Sequence, residues 1–284
     1  AENLFYRFFT PGNTVPEPIL TILNSTSMKK SFFTGLAIIN ALIFASCSDI
    51  KDADNYFDNN TGNSRKLVST ITYENTDDPN KTIGVELFYD NDNRVIRIEK
   101  SGQPITTFEY NGNTVTAKHT EETNTYTVTA TLDENGYVIS EESVNNADPT
   151  DKTTVSVTYS DGYLQKIEDG NETIATTWQS GNMISETIKT VSEPDEVCNY
   201  NYSKNANLAN IDFNFIIADY NYDLCKLDWG ALGMLGKKSL NLCSTDSDGE
   251  TTFQYEANLS GYISKITVYN GPQELGAFYI TYNR

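Results

Sequence analysis

From Tyr126 to Leu132 this chain alternates without a break: Tyr126, Val128, Ala130 and Leu132 fall on one parity, Thr127, Thr129 and Thr131 on the other. A helix would scatter these residues around its surface. An extended strand sorts them onto two faces, one apolar and one of β-branched threonines. The same period of two runs through Thr154–Tyr159, through Ile83, Val85, Leu87 and Tyr89, and through Phe278, Ile280 and Tyr282. Abundant threonine and tyrosine favour strands over helices throughout.

Between these runs sit turn formers: Asn111-Gly112, Asn135-Gly136, Asp161-Gly162, Asp169-Gly170, Ser180-Gly181, Asp248-Gly249 and Ser260-Gly261. Asn-Gly and Asp-Gly adopt the positive φ that tight hairpins require. Their short spacing predicts a meander, in which consecutive strands are antiparallel neighbours. A loose repeat accompanies them: an aromatic residue closes one strand, a turn follows, and an aliphatic strand begins. Tyr89 before Val95, Tyr159 before Leu164, Trp178 before Met183 and Tyr255 before Ile263 follow this plan. The expected role of these aromatics is packing across the hairpin. The spacing drifts, so a repeated hairpin fits better than a solenoid.

One stretch departs from alternation. Residues 224–240 are apolar and glycine-rich, and predict an irregular connection with a short helical turn around Trp229 to Leu235, folded over the sheet or plugging one end. Residues 67–284 are thus expected to form a single all-β domain, a large antiparallel meander with this one insertion.

The N-terminal part follows a different grammar. Met28 to Cys47 has Lys29 and Lys30 at its start, then an apolar run from Phe32 to Phe44, then Ala45, Ser46 and Cys47. The run is within signal-peptide length and short of the roughly 20 residues of a membrane-spanning helix. Phe44-Ala45-Ser46-Cys47 resembles the lipobox of bacterial lipoproteins, with Phe44 in the place of the usual Leu. The resemblance implies residues 28–46 as a lipoprotein signal peptide and Cys47 as the lipid-attachment residue, with more than one acyl chain making the anchor stable. The alternative is a buried helix that ends in cysteine. Residues 1–27 are read as an upstream leader outside the fold, or else a true extension. Residues 47–66 form an acidic, Asn- and Ser-rich flexible tether. Its start, Ser48 to Asp54, resembles the acidic surface-export tag of Bacteroidetes lipoproteins, although an ordinary linker has the same composition.

Of the chain's 20 basic and 39 acidic residues, three and two precede Cys47, which leaves 17 and 37. Such a surface repels nucleic acid and anionic membrane.

Asn199 to Tyr202, Asn210 to Asp212, Gly233 to Ser239 and Gly261 to Ile266 together resemble the closing half of a Bacteroidetes lipoprotein family of unassigned function with a porin-like β fold. The resemblance covers the region after the tether and is sharpest from Tyr200 onward. It implies a large, strongly curved sheet, porin-like or half-barrel, at the outer membrane, facing the cell surface or the periplasm. It carries over no catalytic residue.

The remaining residues offer little chemistry. Cys198, Cys225 and Cys243 are left after Cys47; Cys225 and Cys243 flank the irregular stretch and are a candidate disulfide, the alternative being buried thiols. His119 is the single histidine, and nothing places a nucleophile beside it. Asp90 to Asn93 and Asp246 to Glu250 resemble fragments of calcium loops but lack the ligand frame, and hairpin turns explain them better. Gly233 to Lys238 lacks the first glycine and the hydroxyl residue of a phosphate loop. No metal site, cofactor or catalytic residue is expected. The leading expectation is a non-catalytic envelope lipoprotein that binds an extracellular ligand such as a glycan, with Trp178 and Trp229 as candidate stacking aromatics. The alternative is a carrier that holds an apolar ligand or lipid inside a curved sheet.

Overall fold

Alternation and turn chemistry resolve into strands throughout the computed structural model, which describes residues 66–78, 82–100, 105–120, 125–191, 194–217, 229–246 and 249–283. The leader, the signal segment, Cys47, the tether through residue 65 and Cys225 lie outside the described residues. The strands are β1 (Val68–Asn75), β2 (Ile83–Tyr89), β3 (Val95–Lys100), β4 (Thr106–Asn111), β5 (Thr114–Thr120), β6 (Thr125–Leu132), β7 (Val138–Asn145), β8 (Asp148–Ser160) and β9 (Tyr163–Glu168). They continue as β10 (Glu172–Gln179), β11 (Asn182–Thr190), β12 (Glu196–Asn199), β13 (Tyr202–Ala206), β14 (Asn241–Cys243), β15 (Thr251–Ala257), β16 (Ile263–Asn270) and β17 (Gln273–Tyr282).

Fifteen of these form one antiparallel sheet in the order β12 through β1, then β17, β16 and β15. The meander is therefore continuous, and the last strand returns to pair with the first, Ile71 facing Ile280 and Tyr73 facing Phe278. The sheet is open, but residues flanking β13 and β14 bridge its two edges. Tyr200 N donates to Ile184 O of β11 at 3.0 Å, Ser244 N donates to Asn201 O at 2.7 Å, and Phe253 N of β15 donates to Ser244 O at 3.0 Å. Between these contacts β13 pairs with β14 as a separate two-stranded sheet.

Curvature has a visible source. After several turns at the same end of the sheet the strand carries one extra residue. Tyr89 pairs with Val95 but Phe88 with Arg97, so Ile96 bulges out. Ile139 does the same between Val138 and Ser140, and Ile184 between Met183 and Ser185. A bulge bends its strand and tightens the right-handed twist. It also explains why Ile96 and Ile139 are 37% and 40% exposed in a sheet most of whose aliphatic residues point inward.

The inner face carries Val85, Leu87, Phe108, Val115, Ala117, Val128, Ala130, Leu164, Ile167 and Ile174, all buried. The outer face carries threonines and cross-strand ion pairs, Lys118 with Glu109 at 3.0 Å and Lys152 with Glu142 at 3.1 Å. A lipid-facing barrel needs the reverse, an apolar outer band between aromatic girdles. This wall faces water.

Of the chain between β13 and β14, residues 207–217 and 229–240 are described, and they fill the inside. The expected insertion is present and plugs one end, but its helix lies earlier than predicted: α1 spans Phe213–Ile217, and residues 229–237 are successive turns. Phe213, Ile217, Trp229, Ala231, Leu235 and Leu242 are buried, the large side chains contributing about 1.5–3 kcal/mol each and the Ala231 methyl about 0.8. The plug is stitched to the row of turns. Val138 N donates to Met234 O at 2.9 Å, Lys237 N to Gly162 O at 2.8 Å, and Leu240 N to Gly181 O at 3.0 Å.

Candidate functional site

Two places collect polar and aromatic side chains. The first lies where the plug meets β9 to β11. Asp212 is 2% exposed. Its Oδ1 accepts from Asn207 Nδ2 at 2.7 Å and from Asn214 N at 3.0 Å. Burial pushes this carboxyl up, while the nearby Lys238 ammonium and the two donors pull it down. Lys238 Nζ donates to the carbonyl of Ala209, and Asn214 bridges to β14 through Asn241 O at 2.9 Å and Cys243 N at 2.9 Å. Tyr200 donates to Glu186 Oε1 at 2.6 Å, and burial, then the Glu186 charge, hold its phenol well above the usual range. These bonds tie the two legs of the plug to each other and to the sheet. The free space they enclose, lined in part by Trp178, Met183 and Leu235, is about 50 Å³. A water occupies about 30 Å³ of liquid, and small-molecule sites run to several hundred. This is a structural latch with room for a water or two.

The second place is open, at the end of the sheet where the turns gather. It is a groove of about 670 Å³ between the β2–β3, β4–β5 and β6–β7 turns on one side and the plug on the other. Its apolar surface comes from Val95, Tyr110, Leu132, Leu232 and Met234, and its rim from Asp92, Arg94, Asn113, Asp133, Glu134 and Asn210.

Turn chemistry makes the walls stiff. Asp90 Oδ1 accepts from the backbone N–H of Asp92 and Arg94, both at 2.9 Å, and Asn93 takes φ 62°. Asp133 repeats the arrangement with Asn135 N at 2.8 Å and Tyr137 N at 2.9 Å, with Gly136 at φ 83°. Asp90 and Asp133 are therefore turn caps, as the hairpin reading of Asp90 to Asn93 expected. Arg94 pairs with Asp90 at 2.7 Å and Asp92 at 3.3 Å and lies 4.4 Å above the Tyr110 ring. Tyr110 OH donates to Val95 O at 3.0 Å. Its phenol is pushed up to about 12 by burial, partly offset by the Arg94 charge. From the plug side Asn210 accepts from Val68 N at 2.8 Å and donates to Tyr89 OH at 3.0 Å.

The structure separates the two tryptophans from this groove. Trp229 is 0% exposed; its indole N–H donates to Glu141 and Phe108 stands edge-on at 6.0 Å. It is core and offers no face to a ligand, which corrects its reading as a stacking residue. Trp178 is half-buried at the latch, donates to Leu164 O at 2.7 Å and packs on Tyr163 at 4.8 Å. Cys243 is buried and its thiol is pushed up to about 12 by burial; its candidate disulfide partner Cys225, like the acceptor Cys47, falls outside the described residues. His119 lies on β5 opposite Tyr126. The groove itself was not anticipated. Its residues come from three turns and from a plug that follows the last of them by more than seventy positions, and only the recurrence of the turns hinted that they would gather.

Fold and site together define a class: an antiparallel β-meander, water-facing outside, plugged within, and grooved at its turn end. Two solved structures are similar to this chain in fold. A porin-like protein from Bacteroides uniformis ATCC 8492 matches over 78% of this chain and 98% of its own, at 15% identity and a TM-score of 0.59. A porin-like protein from Bacteroides vulgatus ATCC 8482 matches over 77% and 99%, at 14% identity and 0.54. At such identities the likeness is one of fold, and it bears out the curved, porin-like sheet. No protein-family model and no curated protein matches the chain.

Proposed function

We propose that this protein is a non-catalytic binding module of the bacterial cell envelope, fastened to the outer membrane by acyl chains on Cys47, whose turn-end groove takes an extracellular glycan. The observation that carries this reading is the groove. It is large enough for one or two sugar rings, its apolar surface includes a tyrosine, and amide and carboxylate oxygens ring it. Ligand sites combine these features, mostly apolar lining with a few convergent polar groups. The carboxylates Asp90 and Asp133 are spent on backbone N–H groups, which suits binding rather than acid–base chemistry. The groove also adjoins Leu67, the point where the tether joins the body.

A titration of the full chain in detergent against a panel of oligosaccharides tests the proposal. Binding to at least one class, weakened tenfold or more when Tyr110→Ala and Leu232→Ala are combined, is the expected result. Full affinity in that double variant, with its fold intact by circular dichroism, would place the site elsewhere.

A further inference from the structure

We infer that the groove sorts its ligands by charge, favouring a glycan with protonated amines over a neutral one and a neutral one over one bearing uronate or sulfate. This rests on the groove being a glycan site. Arg94 is the one basic side chain among the described residues lining it, and it is already engaged. Its Nε donates to Asp90 Oδ2 at 2.8 Å, its Nη2 lies 2.7 Å from the same oxygen and 3.3 Å from Asp92 Oδ2, and its plane covers the Tyr110 ring. A guanidinium held by two carboxylates has little left for an incoming anion. Across the groove, Asp133 and Glu134 add two more carboxylates with no cation among the lining residues beside them. The lining therefore carries a negative surplus. An ammonium group meets acceptors there, while a carboxylate or sulfate meets repulsion and no spare donor of full charge.

The comparison that isolates charge uses one sugar backbone in two forms. Chitosan oligomers carry free amines, and the same oligomers after N-acetylation are neutral; a polyuronate of equal length supplies the anion. Unit charges across a solvated groove are worth about a three- to tenfold change in affinity at low salt, screened away toward 1 M. With the full-length protein, amine oligomers should bind about three- to tenfold tighter than their acetylated form, and polyuronate more weakly than either. The Asp92→Asn, Glu134→Gln double variant should erase most of the amine preference, read as the ratio of amine-oligomer to neutral-oligomer affinity within that same variant. Neither residue caps a turn with its side chain in the structure, so the fold should persist. Polyuronate binding as tightly as the neutral oligomer, or an amine preference that survives the double variant, would overturn the inference and leave the glycan reading standing. If no oligosaccharide binds and a lysine-rich peptide does, the glycan reading falls and this inference with it.

Discussion

Gly236 shows how one backbone position can hold a plug in place. Its φ is +88°, in the left-handed region, and a Cβ there would stand 2.7 Å from Gly162 O and 2.9 Å from Tyr159 Cε1. Neither neighbour can swing away, because Lys237 N donates to Gly162 O at 2.8 Å and Tyr159 OH donates to Val138 O at 2.6 Å. Gly112, at φ +60°, has nothing within 4 Å of such a Cβ. Gly112→Ala should therefore cost only the left-handed backbone penalty, about 1 kcal/mol. Gly236→Ala adds overpacking of about 1–3 kcal/mol, for a total of about 2–4. Urea midpoints of the two variants check this; equal losses would mean that the plug contact at Gly236 is soft. Gly112 follows the turn former Asn111 and Gly236 the apolar Met234-Leu235, and neither sequence reports what lies across space from the missing Cβ. Trp229 makes the same point, because a tryptophan in an apolar, glycine-rich stretch reads equally well as platform or core, and only its neighbours decide.

At the level of the hairpin, the aromatic residue that closes a strand uses its polar tip. Tyr89 donates to Val68 O at 2.7 Å, Tyr110 to Val95 O at 3.0 Å, Tyr159 to Val138 O at 2.6 Å, and Tyr282 to Ile263 O at 2.8 Å. Trp178 does the same with its indole N–H toward Leu164 O at 2.7 Å. In each case the acceptor is at or next to the start of the preceding strand, where the sheet ladder runs out and a carbonyl needs a donor. The sequence showed the recurrence at Tyr89, Tyr159 and Trp178; Tyr110 and Tyr282 join it only in the structure, and Tyr255, which the sequence grouped with them, donates to Cys243 O at the end of β14 instead. Packing across the hairpin is thus only part of the role of these aromatics. Tyr159→Phe should cost about 1 kcal/mol, a fall of about 2–4 °C in melting temperature for a domain of this size; an unchanged melt would show the bond to be idle. Burial lifts the phenols of Tyr89 and Tyr110 to about 12, from 10.0 in the open chain. Folding thus favours their protonated form. The stability they add is complete below pH 10 and drains away as the pH climbs toward 12. Phenolate absorbance of the native protein should lag that of the unfolded chain across this window, with unfolding following. Tyrosines that all titrate near 10 while the fold persists would contradict it.

For the whole molecule, polarity decides where a porin-like sheet can live. With Lys118, Glu109, Lys152 and Glu142 on its outer face, the wall would bring charges into lipid at about 2–4 kcal/mol for each midplane lysine. A hold on a membrane would then come from elsewhere, and the proposed acyl chains on Cys47 would supply it. The full chain should partition into detergent and carry fatty-acyl mass, while Cys47→Ala should be recovered from water without detergent. A Cys47→Ala protein that stays with the membrane would defeat the anchor. Strands, turns and the inward parity of Val128 or Leu87 were legible from the sequence by itself, because period-two alternation and positive-φ turn residues act over a few positions. The place of the helix, the burial of Trp229, the bridging of the two sheet edges and the groove between Tyr110 and Met234 were settled only by the tertiary structure. Each depends on which residues meet across tens of positions or more, 88 between Trp229 and Glu141 and 142 between Asn210 and Val68, and that is set by the pairing of the last strand with the first and by the plug's entry into the sheet, neither of which leaves a local mark.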